Sequence, residues 1–229
     1  MIKKKRDKPL YKKFLPLRKN VQNRDKLMKF RKKKWQRLQS IISKLRKKKL
    51  YDPISYFLFN FKNFFNRKFR YNLQNKQRLS FFYGRLRKKY LKKVTRFILQ
   101  KFKNLNKHAS ILLIRKLETR LDTVLYRAYF SYSFRNARQL ISHKKIYVNH
   151  KIVQSNSYAL KKGDLITLNE DLFESVILNI RGTKTWPIPP THLCINYKTL
   201  QILVTEEFNY TSCYPFWIDF NSFIQFYER

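Results

Sequence analysis

The sequence predicts an α+β fold: a helical lobe, a small domain of two helices and a short antiparallel sheet, a basic N-terminal arm and a β-rich C-terminal segment. Between residues 118 and 168, apolar side chains recur first every three or four residues and then every second residue, as expected where helices give way to strands. Upstream, apolar residues from 81 to 103 follow helical spacing alone. After residue 176, short apolar runs separated by prolines favour strands.

Positive charge is concentrated in the N-terminal half of the chain. The 229 residues contain 53 lysines and arginines against 13 acidic residues, which gives a net charge of +40. Residues 1–50 carry +20 and residues 51–115 carry +16, whereas residues 171–229 carry −2. A charge of this size and distribution indicates a polyanionic partner.

Residues 1–50 are interpreted as the basic arm. In its second half, apolar residues lie three or four positions apart, at Trp35, Leu38, Ile42 and Leu45. This spacing predicts a helix from about residue 23 to 49. Lysine blocks such as 32–34 and 47–49 repel one another in water, so a solvated tail is the alternative. Because aromatic and aliphatic side chains interrupt the charge, we expect instead an arm that becomes ordered when a polyanion binds.

Residues 51–117 are predicted to form the helical lobe. The stretch from 51 to 70 is crowded with phenylalanine, and we expect most of these rings to pack in a core rather than to stack on nucleobases. One long helix with a basic face is predicted from Phe81 to Lys103, after or around a turn at Gly84. A short, strongly apolar helix is predicted from Ala109 to Leu117.

Residues 118–171 are predicted to form the small α+β domain, which begins with two helices. The apolar face of the first helix consists of Leu121, Val124, Leu125 and Ala128, before a break at residues 129–132. Ser133 offers a hydroxyl that can cap the N-terminus of the second helix. One side of that helix carries Phe134, Ala137, Leu140 and Ile141, and the other carries Arg135, Arg138, Gln139 and Ser142.

The same domain is predicted to continue into a small antiparallel sheet, because the period of apolar residues drops to two after His143. A type I′ turn needs positive φ at both central residues, which histidine tolerates poorly, so the tip at Asn149 and His150 is expected to differ from an Asn-Gly tip. The predicted elements are a strand at Ile146 and Val148, a turn at Asn149 and His150, a strand at Ile152 and Val153, a turn at 162–164 and a strand from Leu165 to Leu168.

Residues 172–229 form the predicted β-rich C-terminal segment. The proline-rich stretch around Pro187 bars a regular helix or strand, so it is interpreted as a connection. The closing residues 216–229 are apolar enough to need burial, and no element is assigned to residues 206–220. Strands are predicted at Val176–Ile180, Leu193–Tyr197 and Gln201–Thr205.

The second helix and the first strand of the small domain together predict a cationic edge. Ser133 and Arg135 place backbone amide donors and a positive charge at the start of the helix, an arrangement that suits a phosphate. Arg138 extends this surface by one turn, and Lys144 and Lys145 continue it onto the strand. No acidic residue is close to Arg138 in the sequence, which favours a ligand-binding role over an ion pair.

The order of motifs in this domain resembles the S-four RNA-binding domain, named after ribosomal small-subunit protein four. The motifs are "RLD…YR", "AR-QL-SH", "VN-K", "SY" and "K-GD", and none of them carries weight alone. Upstream, "YNLQNKQRLSFFYGRLRKKY" (71–90) is similar to the segment that precedes the domain in that ribosomal family, and the closing "FIQFYER" resembles its C-terminus. The resemblance covers most of the chain from about residue 70.

This resemblance implies an RNA-binding surface along the helix-to-strand edge, a basic arm that becomes ordered on RNA, and a C-terminal segment that returns to pack on the helical lobe. Asp122 is expected to pair with Arg120 or to cap the first helix. For Lys144 and Lys145, the alternative to RNA binding is that they are solvated surface charges. The residues expected to contact RNA are Arg120, Arg127, Ser133, Arg135, Arg138, Gln139, Ser142, His143, Lys144, Lys145, Asn149 and Lys151.

The resemblance further implies a structural constituent of the small ribosomal subunit, most similar to mitochondrial members of the family. Such a protein would bind the 5′ domain of the small-subunit rRNA beside the ribosomal proteins S-five and S-three, and would support assembly and translation. The abundance of Lys, Asn, Ile, Phe and Tyr is typical of an AT-rich organellar genome, so an organelle-encoded mitochondrial protein is expected, with a plastid as the alternative. A free-standing S-four RNA-binding or ribosome-associated factor is the second reading, although such factors usually lack the segment at 71–90.

The residue content argues against other classes of protein. The chain has three glycines and no HExxH, GxSxG or CxxC motif, so neither an enzymatic activity nor a small-molecule substrate is expected. Two cysteines, Cys194 and Cys213, exclude a disulfide framework and a four-cysteine zinc site within this chain, and no cofactor or metal is implied. The apolar run from Ile54 to Phe61 is far shorter than the roughly 20 residues of a membrane span, and no secretory signal is expected.

Overall fold

A computed structural model describes residues 9–17, 21, 30–47, 64–102, 109–183, 189–206 and 218–228 of the chain. This part of the chain begins with seven helices: α1 (Leu10–Phe14), α2 (Lys33–Lys47), α3 (Phe64–Phe82), α4 (Lys88–Phe102), α5 (Ala109–Glu118), α6 (Leu121–Arg127) and α7 (Phe134–Ser142). Three strands follow: β1 (Ile146–Val148), β2 (Lys151–Ile152) and β3 (Leu165–Leu168). After them come a 3-10 turn (Glu170–Leu172) with helix α8 (Phe173–Arg181), the strands β4 (Leu193–Asn196) and β5 (Gln201–Val204), and helix α9 (Phe220–Glu228). The chain divides into two compact units, one running to Phe82 and resuming at Tyr214, the other from Tyr83 to Cys213. The predicted α+β fold is confirmed.

In the first unit, apolar side chains of the basic arm pack together and against α3. The ring of Phe14 meets the ring of Phe81 edge-on, with centroids 5.9 Å apart. The helix predicted for the arm is present as α2, but residues 30–32 are not helical and it begins only at Lys33. Its apolar stripe is confirmed at Trp35 and Ile42, which are both buried. The part of that prediction before residue 30 lies mostly outside the described residues.

Helix α9 lies against α3 in the same unit. The ring of Phe226 lies 6.1 Å from the ring of Phe69, and the Nζ atom of Lys76 lies 4.5 Å above it. Phe223 and Tyr227 are buried, as expected for the apolar closing residues, and burial raises the pKa of Tyr227 to about 12.

The second unit is built on a five-stranded antiparallel sheet in the order β2-β1-β3-β5-β4. The pairing of β1 with β3 sets Tyr147 opposite Thr167, and the pairing of β3 with β5 sets Ile166 opposite Ile202. The strands β1, β2 and β3 of the predicted small domain (118–171) and the strands β4 and β5 of the predicted C-terminal segment (172–229) therefore belong to one sheet. Buried residues of α6, α7 and α8 complete a single core with those of the sheet. The predicted helices α5, α6 and α7 and the predicted strands β1, β3, β4 and β5 are present close to their expected bounds.

The single helix predicted from Phe81 to Lys103 is wrong in its first part, because α4 begins only at Lys88. Gly84 and Arg85 both have positive φ, +64° and +68°, which a right-handed helix does not contain. A Cβ atom built on Gly84 would lie 2.6 Å from the Cβ of Phe134. The turn therefore needs both the conformational freedom and the small size of glycine.

The strand predicted at Val176–Ile180 is also wrong, because these residues belong to α8. Val176 and Ile180 are buried four positions apart, whereas Leu178 between them is 67% exposed, which is the pattern of a helix face. A short apolar run does not distinguish a helix from a strand by its period. Here the side chain of Asn169 accepts a hydrogen bond from the backbone of Asp171 and starts the helical turn that α8 continues.

Some predictions fall outside the part of the chain that the structure describes. They concern the phenylalanine-rich stretch up to residue 63, the end of the helix predicted to reach Lys103 and the connection at 184–188. Among the described helices, none has the length and apolarity of a membrane-crossing segment. Within the same residues, no three His, Cys, Asp or Glu side chains are grouped so that they could hold a metal ion.

Candidate nucleic-acid interface

Helix α7 is fixed at its start by a side-chain cap and along one side by apolar packing. The Oγ atom of Ser133 accepts a hydrogen bond from the backbone N–H of Asn136 at 3.2 Å, which confirms the predicted N-cap. Phe134, Ala137 and Ile141 are buried. The polar side of α7 is thereby held toward solvent in a defined orientation.

The exposed part of the predicted RNA surface follows the end of α7 and the start of β1. Lys144, whose φ of +60° lies in the left-handed region, turns the chain from the helix toward the strand. Lys145 is half-buried, and its Nζ atom lies 3.6 Å from a carboxylate oxygen of exposed Asp171, a contact that solvent screens. Ser142 donates its hydroxyl hydrogen to the backbone carbonyl of Arg138. The exposed cationic row, as we call it, consists of Arg135, Gln139, Ser142, His143 and Lys144.

The hairpin tip has the backbone of an Asn-Gly turn although His150 occupies its second position. Asn149 and His150 have φ values of +49° and +63°, as the two central residues of a type I′ turn require. The expectation that the backbone of this tip differs from that of an Asn-Gly tip is therefore wrong. The Asn149 side chain donates to a carboxylate oxygen of Asp164 at 3.0 Å and accepts from the backbone N–H of Leu165 at 2.9 Å. Asn149 therefore ties the tip to the start of β3, and Lys151 beside it is exposed.

Asp122 is completely buried and binds two of the arginines predicted to contact RNA. The Nε and Nη2 atoms of Arg120 donate to its two carboxylate oxygens, each at 2.9 Å, which confirms the expected pair. The Nε atom of Arg138 donates to Oδ2 at 2.7 Å. Burial alone would lower the pKa of Arg120, but the hydrogen bonds and charge of Asp122, with a contribution from Tyr90, raise that pKa above its ordinary value.

Arg138 also holds α7 on the turn that precedes α4. Its Nη1 atom donates to the carbonyl of Gly84 at 2.7 Å, and its Nη2 atom donates to the carbonyl of Tyr83. The premise that no acid lies near Arg138 is wrong, because the fold brings Asp122 to it from 16 residues earlier. The donors of Arg138 are thus directed at protein groups in this structure, and its contact with RNA stays a prediction.

A second buried carboxylate, Glu118, binds Arg127, another of the four arginines predicted to contact RNA. The Nε and Nη2 atoms of Arg127 donate to Glu118 at 3.1 and 2.7 Å, and the hydroxyl of Tyr83 donates to it at 2.6 Å. Sequence reasoning missed this role of Glu118. One signal was available: between residues 53 and 163, Glu118 and Asp122 are the only acidic residues in the sequence. Two isolated acids in a basic stretch are good candidates for internal partners of arginine.

The structure therefore separates the predicted RNA-contacting residues into three groups, with half-buried Lys145 beside the second, solvent-facing group. Arg120, Arg127 and Arg138 form ion pairs with buried carboxylates. The exposed cationic row and Lys151 face solvent, while Ser133 and Asn149 hold backbone groups in place. The chemistry offered at the surface is donation of hydrogen bonds and positive charge, which suits the phosphates of a nucleic acid.

Comparison with known proteins identifies this region and relates the chain to ribosomal proteins. Residues 119–166 match the family model described as "S4 domain". Small ribosomal subunit protein uS4m of Marchantia polymorpha is 41% identical over 99 residues, which cover 42% of this chain and 50% of that protein. The uS4m protein of Reclinomonas americana is 34% identical over 127 residues, covering 50% of this chain and 49% of the relative. The uS4 protein of Pelagibacter ubique is 33% identical over 135 residues, covering 55% and 65%.

The matched family region contains α6, α7, β1 and β2, and the exposed cationic row lies within it, on α7 and in the turn that follows. The chain spans about half the length of the first two of these relatives. The resemblance predicted from the ordered motifs is thereby confirmed: residues 119–166 form an S4 domain, and the chain is similar to the small ribosomal subunit proteins uS4 and uS4m.

Proposed function

We propose that this chain is a structural constituent of the small subunit of the mitochondrial ribosome, where it binds the 5′ domain of the small-subunit rRNA and supports assembly and translation. The observation that carries the proposal is the exposed cationic row, which lies within the S4 domain. Phosphate contacts would position the chain, and the folded RNA would be recognised by its shape and its 2′-hydroxyls. The proposed activity is binding, without catalysis.

The extent of the similarity favours a ribosomal constituent over a free-standing S-four factor. The alignments with the two uS4m proteins, over 99 and 127 residues, are longer than the S4 domain at 119–166. The names of these relatives support the mitochondrial matrix as the location. An organelle-encoded gene, and S-five and S-three as neighbouring proteins, belong to the same proposal, and a plastid is the alternative location.

Binding to a transcript of the small-subunit 5′ domain tests the surface. The Arg135→Gln/Lys144→Gln variant removes two cations of the exposed row and leaves the buried ion pairs intact, whereas Arg138→Glu would break the pair with Asp122. Lys161→Gln/Lys162→Gln removes two exposed lysines from the turn before β3 and is the matched control. We expect the first variant to weaken binding and to make the plot of log affinity against log salt shallower by about 1 per lost contact. Equal losses in both variants would contradict a role for the row.

Sedimentation of organelle lysate tests the ribosomal part of the proposal. The protein should comigrate with small subunits at moderate salt and remain on them after a high-salt wash, as detected by mass spectrometry. A protein that stays at the top of the gradient, or that the wash removes readily, would favour the free-standing factor.

A further inference from the structure

A second cationic surface lies on α4, outside the residues assigned to RNA above. Residues four apart on a helix are separated by about 6 Å along its axis, so cations at this spacing form continuous rows. The inward side of α4 buries Leu91, Val94, Thr95 and Ile98. The outward side carries five exposed cations that we call the α4 basic face: Lys88, Lys89, Lys92, Lys93 and Arg96.

The α4 basic face destabilises the helix that carries it. Lys88, Lys92 and Arg96 follow one another at four-residue spacing, where like charges repel. Lys88 and Lys89 also occupy the first turn, where the positive end of the helix dipole disfavours cations, and no acidic residue is present in that turn. Among the residues that the structure describes, no carboxylate forms an ion pair with this face. Folding requires only the buried side of α4. The row of positive charges on its other side is therefore best explained by an anionic ligand.

We propose that the α4 basic face binds the phosphate backbone of RNA, as a contact separate from the exposed cationic row. This inference deepens the proposed function and rests on it. The face consists of ammonium and guanidinium groups, which neutralise phosphates. Lys116 of α5 adds a further cation nearby, with its Nζ atom 6.0 Å from the ring of Phe97 on α4. Bound phosphates would relieve the repulsion between the cations and release their counterions.

An anionic membrane is the other polyanion that a basic helix can bind, and the packing of α4 argues against it. A helix that lies in a membrane interface inserts a wide apolar side into the lipid. In this chain the apolar side of α4, including Leu91 and Ile98, is already buried in the protein. The outward side offers five cations and one exposed ring, Phe97, which is far less apolar surface than lipid insertion uses.

The full-length Lys89→Gln/Lys93→Gln variant tests the α4 basic face. Glutamine keeps the helix propensity close to that of lysine, and circular dichroism confirms that the variant folds. The probes are a short duplex RNA of arbitrary sequence and the 5′ domain transcript, and Lys161→Gln/Lys162→Gln is the control with the same loss of charge. We expect the slope of log affinity against log salt to become shallower by about 1.8 on both RNAs, because each lost phosphate contact removes about 0.9. The control should keep the wild-type slope.

Each other outcome has a defined meaning. Equal effects of the α4 variant and the control, or an unchanged slope in both, would show that α4 is only a solvated surface and would overturn the inference. Weaker binding by Arg135→Gln/Lys144→Gln alone would overturn it while leaving the proposed function in place. A chain that shows no preference for the 5′ domain transcript, yet shows the α4 effect on duplex RNA, would overturn the proposed function and keep this inference. If the α4 variant loses binding only to vesicles of phosphatidylserine and phosphatidylcholine in equal parts, the face belongs to a membrane and the inference is overturned.

Discussion

The carboxylate of Asp122 accepts hydrogen bonds from two arginines, Arg120 at the start of α6 and Arg138 on α7. Removing a carboxylate and its partners from water costs several kcal/mol, which is offset only when the charges and hydrogen bonds are complete. Arg138 completes its own set on the carbonyls of Tyr83 and Gly84. Asp122 therefore determines where α7 lies, although it does not reach the surface itself.

Replacing Asp122 with asparagine should lower the free energy of unfolding by about 3 kcal/mol or more, because two guanidinium groups lose their counter-charge. The Arg120 side chain is only 5% exposed, so water cannot replace the lost carboxylate. Urea unfolding followed by circular dichroism measures the change. Asp171→Asn is the matched control, since Asp171 is 65% exposed and its contact with Lys145 contributes at most about 1 kcal/mol. A loss for Asp122→Asn as small as that of the control would contradict the assigned role.

His192 should make the stability of the second unit depend on pH. Burial lowers the pKa of His192 below its ordinary value of 6.5, Glu118 opposes this shift and Arg127 adds to it. The unfolded chain therefore binds a proton at this histidine more readily than the folded chain. The stability that neutral His192 contributes is fully present above pH 6.5, and it decreases as the pH falls below that value toward the folded pKa.

The His192→Gln variant measures this contribution. Between about pH 7 and about pH 5.5, the urea midpoint of the wild-type chain should fall more steeply than that of the variant, because only the wild type loses the His192 contribution. His150→Gln is the control, since His150 is exposed at the hairpin tip, and it should follow the wild-type curve. Identical curves for all three proteins would exclude His192 as the source of the pH dependence.

At the scale of elements, α7 and the turn before α4 form one interlocked contact. Phe134, the first residue of α7, stacks on Tyr126 with ring centroids 4.1 Å apart and meets the ring of Tyr83 at 5.7 Å. The same side chain fills the space that a Cβ atom on Gly84 would need. A change of one methyl group in the turn is therefore transmitted directly to the helix that carries the exposed cationic row.

The variants Gly84→Ala and Gly163→Ala separate backbone strain from steric conflict. Both glycines have positive φ, +64° and +89°, but a Cβ on Gly163 meets nothing within 4 Å. Gly163→Ala should therefore lower the free energy of unfolding by about 1 kcal/mol through strain alone. Gly84→Ala should lower it by about 1–3 kcal/mol more, because Phe134 must move. Equal losses in urea unfolding would mean that the contact with Phe134 is loose.

The elements that could be predicted from the sequence are those whose signal is local. Helices α5, α6 and α7 have one apolar side each, and β1 alternates, so period alone identifies them. Helix α8 was missed because its apolar run is short and rich in residues that also favour strands. The break before α4 depends on Phe134, and the anchoring of Arg138 depends on Asp122, so both arise from contacts between distant residues that no local pattern contains. The exposure of Arg135 was predictable because helix spacing places it opposite the core, whereas Lys144 is exposed because it lies in the left-handed turn between α7 and β1.

At the scale of the whole molecule, the net charge determines how strongly the proposed binding to RNA depends on salt. Residues 1–115 carry +36, whereas residues 171–229 carry −2. If the full chain makes about 6–10 phosphate contacts, its affinity for the 5′ domain transcript should fall by roughly three to five decades between 50 and 200 mM salt. Filter binding at a series of salt concentrations measures this dependence. An affinity that changes by less than about tenfold over that range would contradict an electrostatic mode of binding.

The direction of the contacts of Arg138 has a consequence for how the protein is made. All three of its acceptors, on Tyr83, Gly84 and Asp122, precede it in the chain. A nascent chain therefore already contains every one of these three acceptors when α7 is synthesised, before β3 and β5 have been added. The polar contacts of α7 can thus form as the chain is made, whereas its apolar side is buried only when the sheet and α8 have followed.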